Sequence, residues 1–158
     1  MTKYALVHDQ EAVGTGCRVC QVENTLEDTF PVDETIGLHW VECPDEIVAD
    51  MYFYNSDNTF VIKPNINVVT NPVNQTAQNN TSVTFSVSAT VNDDYTLTYE
   101  WYSSTDNGMS YDVVEGEASS ELTFVPTMSD NNKKYYAKIS TSHNISKTTQ
   151  PVILTVYS

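Results

Sequence analysis

Ser129-Asp130-Asn131-Asn132-Lys133-Lys134-Tyr135-Tyr136-Ala137 sets the architecture of this chain. A polar, turn-forming run ends in residues that open an alternating strand, with Tyr135, Ala137 and Ile139 on one face. Working outward, Trp101 stands inside a second alternating run, Leu97, Tyr99 and Trp101. Val87 lies fourteen residues before Trp101 and closes a third run, in which Val83, Phe85, Val87 and Ala89 alternate with Thr84, Ser86 and Ser88. Such alternation gives one buried and one wetted face. A mid-strand tryptophan between two core positions, with a tyrosine two residues before the later one, marks a two-sheet antiparallel sandwich. In the disulfide-bearing form of that sandwich both core positions are cysteines. Here they are Val87 and Ala137, so the sheets must close by packing alone, which points away from an oxidising, secreted setting.

The remaining strands read off the same way. Asn67–Thr70 runs into Asn71-Pro72 as an edge strand, since proline removes a ladder donor. Tyr111–Val114 is a short strand after the Asn107-Gly108 turn, Leu122 and Phe124 mark one before Pro126, and Val152, Leu154 and Val156 mark the last. A boundary falls near Lys63-Pro64-Asn65. It predicts two domains, a small β-rich one over 1–63 and the sandwich over 66–158. The fold class expected is all-β.

Residues 1–63 are less regular. Strands are expected over Lys3–His8, over Cys17–Glu23 after Gly14-Thr15-Gly16, and over Leu38–Cys43. Residues 24–34 are polar, acidic and broken at Pro31, a loop. Asp45–Asp50 is expected to form one helical turn. Met51–Tyr54 and Thr59–Ile62 flank Asn55-Ser56-Asp57-Asn58, a hairpin signal. About sixty residues is near the lower limit for an isolated core, so a partner surface is expected to complete its stability.

The strings Tyr-Glu-Trp-Tyr-Ser-Ser-Thr-Asp-Asn-Gly (99–108), Val-Glu-Gly-Glu-Ala-Ser-Ser-Glu-Leu-Thr-Phe (114–124) and Ser-Asp-Asn-Asn-Lys-Lys-Tyr-Tyr-Ala (129–137) make the second part resemble bacterial and phage immunoglobulin-like domains. Tyr111 stands where that family often has a tryptophan, and Asn132 where it has a glycine. The first part resembles small accessory domains in virion proteins of tailed phages, through Phe30-Pro31-Val32, His39-Trp40-Val41-Glu42-Cys43-Pro44-Asp45 and Tyr52-Phe53-Tyr54-Asn55-Ser56-Asp57-Asn58-Thr59-Phe60. Met51-Tyr52 replaces that family's usual Gly-Trp. The two resemblances together imply a non-enzymatic virion structural protein, a decoration or fibre-type accessory. Its partners would be capsid, neck or tail proteins, it would be present in many copies, and host-surface glycans would be its weak ligands. A fibre assembly factor absent from the particle, a bacterial surface adhesin module and a small zinc-stabilised binding protein are the alternatives.

Charge narrows the partners. The 158 residues carry 21 acidic and 7 basic side chains, a net −14, which repels nucleic acid and anionic membranes. Residues 1–64 hold 12 acids and 3 bases, residues 65–158 hold 9 and 4. The start, Met1-Thr2-Lys3-Tyr4-Ala5-Leu6-Val7-His8, has no leader pattern, and no run approaches the ~18 apolar residues of a membrane helix. The expectation is synthesis in a host cytoplasm and residence in the virion, with the thiols free and the triplets at Asn74, Asn79, Asn80 and Asn144 unglycosylated.

Four features carry candidate chemistry. Cys17, Cys20, His39 and Cys43 are a possible zinc set. Their spacing matches no common zinc module, and on a strand Cys17 and Cys20 face opposite ways, so buried or free thiols are the expectation and no cofactor is assigned. Asp33, Glu34, Asp45, Glu46 and Asp50, and the pair Asp93-Asp94, lack the spacing of a calcium loop and read as solvated acids. The histidines, His8, His39 and His143, each stand alone, with no nucleophile elbow or phosphate loop, so no enzyme is expected. Tyr95, Tyr102, Tyr111 and Tyr136 have no clear core duty and are the candidate surface-binding residues, suited to sugar or protein contact. Ordinary cross-strand packing is the competing reading for each.

Overall fold

The computed structural model describes residues 2–13, 16–25, 29, 31–32 and 34–158, with backbone alone for 9–13, 16 and 34. Gly14, Thr15, Phe30 and Asp33 lie outside the described residues, as does much of the loop expected over 24–34. No described helix is long and apolar enough to cross a membrane. The chain divides into two compact units, Met1–Pro64 and Asn65–Ser158.

The first unit is one antiparallel sheet. Its strands are β1 (Lys3–Val13), β2 (Gly16–Glu23), β3 (Leu38–Cys43), β4 (Tyr52–Asn55) and β5 (Phe60–Ile62), in spatial order β3-β1-β2-β4-β5. β1 runs past the expected His8, with register shifts against β2 between Leu6 and Val7 and between His8 and Ala12. Ala5, Val19, Cys43 and Ile47 form a buried cluster, with Val41, Tyr54 and Phe60 packed against it. The β4–β5 turn follows from its residues. Asn58 takes φ 65°, a left-handed value that asparagine tolerates. The Asp57 carboxylate accepts both the N–H (3.1 Å) and the hydroxyl (2.5 Å) of Thr59, which holds it below the usual carboxylate range.

The helical turn expected over Asp45–Asp50 does not form. Two reverse turns replace it, Ile47 N–H donating to Pro44 O (3.2 Å) and Met51 N–H to Val48 O (3.2 Å). Asp50 adopts φ 61° and gives its N–H to Val19 O at 2.9 Å. A long-range backbone bond and a left-handed residue are both incompatible with a continuing helix.

The second unit is an immunoglobulin-like sandwich of two sheets. One is built from β6 (Ile66–Thr70), β8 (Val83–Ser86), β9 (Ser88–Val91) and β12 (Glu121–Phe124), where β8 pairs with β12 and β9 with β6. β8 and β9 are halves of one run interrupted at Val87, whose N–H donates to Ser120 O at 3.0 Å. The other sheet follows the order β11 (Asp112–Val113), β10 (Thr98–Ser104), β13 (Lys134–Ser140), β15 (Val152–Tyr157), β7 (Gln75–Gln78), with β14 (Ser146–Thr148) also on β13.

The core fills the space between. Val87, Trp101, Tyr135 and Ala137 belong to one buried cluster with Phe85, Leu122, Ile139 and Leu154. Trp101 lies opposite Ala137 in the β10–β13 register. Its indole N–H donates to Ser119 O at 2.9 Å, so the one polar atom of the largest core side chain is satisfied. Phe85 stacks on Tyr135 at 5.0 Å between centroids.

One strand was not foreseen. β7 joins the second sheet in parallel with β15, after the chain leaves β6 through Asn71-Pro72. Gln75-Thr76-Ala77-Gln78 has a single buried apolar residue, Ala77, so no alternation announces it. The last strand is also split. Pro151, which has no N–H to give, separates β14 from β15.

Candidate functional site: a tyrosine face on the sandwich

The strand period places the candidates. On β13, Tyr135 and Ala137 point into the core, so Tyr136 points out. On β10, Trp101 points in and Tyr102 out. Tyr102 and Tyr136 are direct cross-strand partners, with ring centroids 4.8 Å apart and planes within 4°. Tyr111 meets Tyr136 edge-on, 4.8 Å away at 71°. Three of the four surface-binding candidates therefore make one cluster, each half-buried because it covers its neighbours. Tyr95 is not among them. It lies beyond the opposite end of β10, against His143 at 5.1 Å.

The loop before β11 holds Tyr111. Asp106 accepts hydrogen bonds from the hydroxyls of Ser104 (2.7 Å) and Ser110 (2.6 Å) and from the N–H groups of Met109 (2.9 Å) and Ser110 (3.0 Å). The Ser110 hydroxyl is the first of the bonds that hold its carboxyl well below the usual carboxylate range. Lys134 reaches the loop by donating to Asn107 O at 2.8 Å. Gly108 takes φ +92°, and a Cβ there would lie 2.9 Å from the Tyr111 hydroxyl. Glycine is required at this point both for its backbone and for the close approach of the ring.

The interruption at Pro151 makes a groove beside these rings. Thr149 turns inward and is buried. Its Oγ1 accepts the Ala137 N–H (3.0 Å), and its own N–H donates to Ala137 O (2.9 Å), so a side chain takes over one rung of the ladder. Tyr111, Tyr136, Thr148, Gln150 and Pro151 then line an open groove of about 280 Å³. Two aromatic rings beside a hydroxyl and a primary amide suit a flat, hydroxyl-bearing ligand or a polar protein surface.

The phenols of this face are held in their neutral form. The Tyr102 hydroxyl donates to Glu100, and that bond, with burial, pushes Tyr102 up to about 12. Burial first, then the neighbouring Tyr111 and Glu100, raises Tyr136. Both remain protonated donors at neutral pH.

The other candidates do not assemble. Among the described residues, no group of three or more His, Cys, Asp or Glu side chains is placed to hold a metal ion. Cys17 pairs in register with Tyr54, and Cys43 with Lys3 at the far edge of the sheet. All three cysteines are unbridged, and burial raises the Cys43 thiol. Asp45, Glu46, Asp50, Asp93 and Asp94 are all exposed.

No family model and no curated protein matches the chain. Solved structures similar to it include DIP-gamma IG1+IG2 (12% identity, 99% of this chain and 84% of that one, TM-score 0.42). Extracellular domains 3–5 of Drosophila OTK match at 15% identity, with all of this chain and 52% of that one covered, and TM-score 0.41. The fibronectin(III)-like modules of Clostridium thermocellum CbhA match at 12%, with 98% and 77% covered and TM-score 0.39. This chain spans about half of the OTK structure. The sandwich itself rests on the strand order and shared core described above.

Proposed function

We propose that this protein is a non-enzymatic binding module of adhesion type, carried as a decoration or fibre-type accessory on a tailed-phage virion. The tyrosine face of the sandwich is the binding surface. The observation that carries the reading is the cluster of Tyr102, Tyr111 and Tyr136 beside the groove at Thr148–Pro151. Aromatic side chains that stack on one another outside the core keep a rigid apolar platform with polar rims, which suits weak contact with host-surface glycans. Residues 1–63 dock on the particle, and resemblance to virion accessory domains supports that assignment. Many copies on one particle raise effective concentration, so weak contacts add up to attachment. A net charge of −14 suits solubility at that density.

The test is binding of the chain, displayed in many copies on beads, to bacterial cells and to an array of neutral polysaccharides. Retention that is lost with Tyr136→Ala and Tyr111→Ala is the expected result. Retention unchanged by both substitutions removes this face from the mechanism. Mass spectrometry of purified particles decides virion membership independently.

A further inference from the structure

The first sheet of the sandwich ends at β12, which pairs with β8 alone. The bond from Val87 N–H to Ser120 O fixes the ladder phase. By the alternation of an antiparallel pair, Leu122 and Phe124 turn their backbone groups toward β8, while Glu121 and Thr123 turn theirs to the rim. The Glu121 N–H is taken by the Ser119 hydroxyl at 3.2 Å. Thr123 is left to offer its N–H and C=O outward.

Beside that rim lies a slot of about 250 Å³ lined by Val114, Leu122, Phe124 and Tyr135 together with Ser103, Glu117 and the Asp130–Lys133 pair. Tyr135 is only 4% exposed, and its hydroxyl has no hydrogen-bond partner among the described residues. That oxygen is not one of the fully buried unpartnered atoms, so it keeps accessible surface beside the slot and can donate to a polar atom placed there. The segment leading into β12 carries Glu115, Glu117 and Glu121 and no basic residue, while Lys133 is committed to Asp130 at 2.8 Å.

We propose that β12 is a docking edge for an extended, basic segment of a partner protein. The segment adds as a strand along Glu121–Phe124. It places one aromatic side chain bearing a polar atom in the slot, where that atom meets the Tyr135 hydroxyl. It aligns Lys or Arg with the glutamates. Strand addition joins main-chain bonding at a sheet edge to side-chain selection in an adjoining pocket, and both parts are present here. A second copy of this chain is a poor occupant, because each copy carries −14. The edge is separate from the tyrosine face and does not depend on its role.

The experiment titrates the isotope-labelled full chain with the acetylated peptide Lys-Val-Lys-Tyr-Lys-Val-Lys, with its Glu-for-Lys counterpart, and with free p-cresol. The expected result is amide shifts along Glu121–Phe124 and ring shifts of Tyr135 with the basic peptide only. Thr123→Pro leaves the β8 ladder intact and should weaken that binding about tenfold or more. Val114→Trp fills the slot from a loop and should do the same, which covers the case of a poorly folded proline variant. Tyr157→Ala, at an exposed position on β15, should leave the peptide binding unchanged. Absence of shifts, equal binding by the acidic peptide, or undiminished binding by Thr123→Pro and Val114→Trp overturns the proposal. Shifts produced equally by p-cresol also overturn it, in favour of a small-molecule pocket.

Discussion

Tyr135 and Tyr136 are neighbours on one strand with opposite fates. Tyr135 is 4% exposed, stacked on Phe85 and enclosed with Phe124 at 5.5 Å. Tyr136 faces out and meets Tyr102 and Tyr111. The inner face of β10 and β13 is bound by volume, because Trp101, Tyr135, Ala137 and Ile139 pack into one buried cluster. The outer face is bound by geometry, because its rings lean on one another and leave a groove open. The same residue type therefore serves stability on one side of a sheet and, in the function proposed above, recognition on the other.

Substitutions can break this contrast. Trp101→Ala should cost about 3–5 kcal/mol in denaturant unfolding, the usual range for truncating a buried aromatic. A loss under ~1 kcal/mol would mean that Trp101 is not the centre of the core. Next in size is Thr149→Val, which keeps the shape but removes the acceptor for the buried Ala137 N–H. It should cost about 1–3 kcal/mol, and the exchange rate of the Ala137 amide should rise. An unchanged rate would place the rung elsewhere.

Smaller effects sharpen the outer face. A double-mutant cycle of Tyr102→Ala and Tyr136→Ala should give a coupling of about 0.5–1.5 kcal/mol. Zero coupling would mean that the stack in the fold does not persist in solution. Alkaline titration should show the last and mildest effect. In the fold the hydrogen bond to Glu100 pushes Tyr102 up to about 12, and burial pushes Tyr135 up to about 12, above the ~10 of an ordinary phenol. Their contribution is full below pH 10 and declines as pH rises from 10 through 12. Ultraviolet difference spectra should show these two phenols ionising after the exposed tyrosines. Ionisation of every tyrosine near pH 10 would contradict the buried and hydrogen-bonded environments.

Most of the sandwich was legible because each of its main strands alternates over several residues. Val83 and Phe85, Tyr99 and Trp101, and Tyr135, Ala137 and Ile139 announce an inner face without help. β7 was not legible. Its only buried residue is Ala77, and its place beside β15 depends on residues some eighty positions away. The helical turn expected over Asp45–Asp50 failed for a similar reason, since the competitor was a bond to Val19 that no local propensity contains. The tyrosine candidates were legible one at a time. Their grouping was not, because Tyr102, Tyr111 and Tyr136 meet only through strand pairing, and Tyr95 is excluded by the same pairing.

The amino-acid order alone determined the all-β class, the disulfide-free core around Trp101 and the acidic surface, because alternation, side-chain volume and charge are properties of the chain itself. Tertiary structure decided which tyrosines share a face, where Pro151 opens a groove, and that β12 ends its sheet beside an apolar slot. Each of these depends on register between distant strands, and register is set by how the whole core closes.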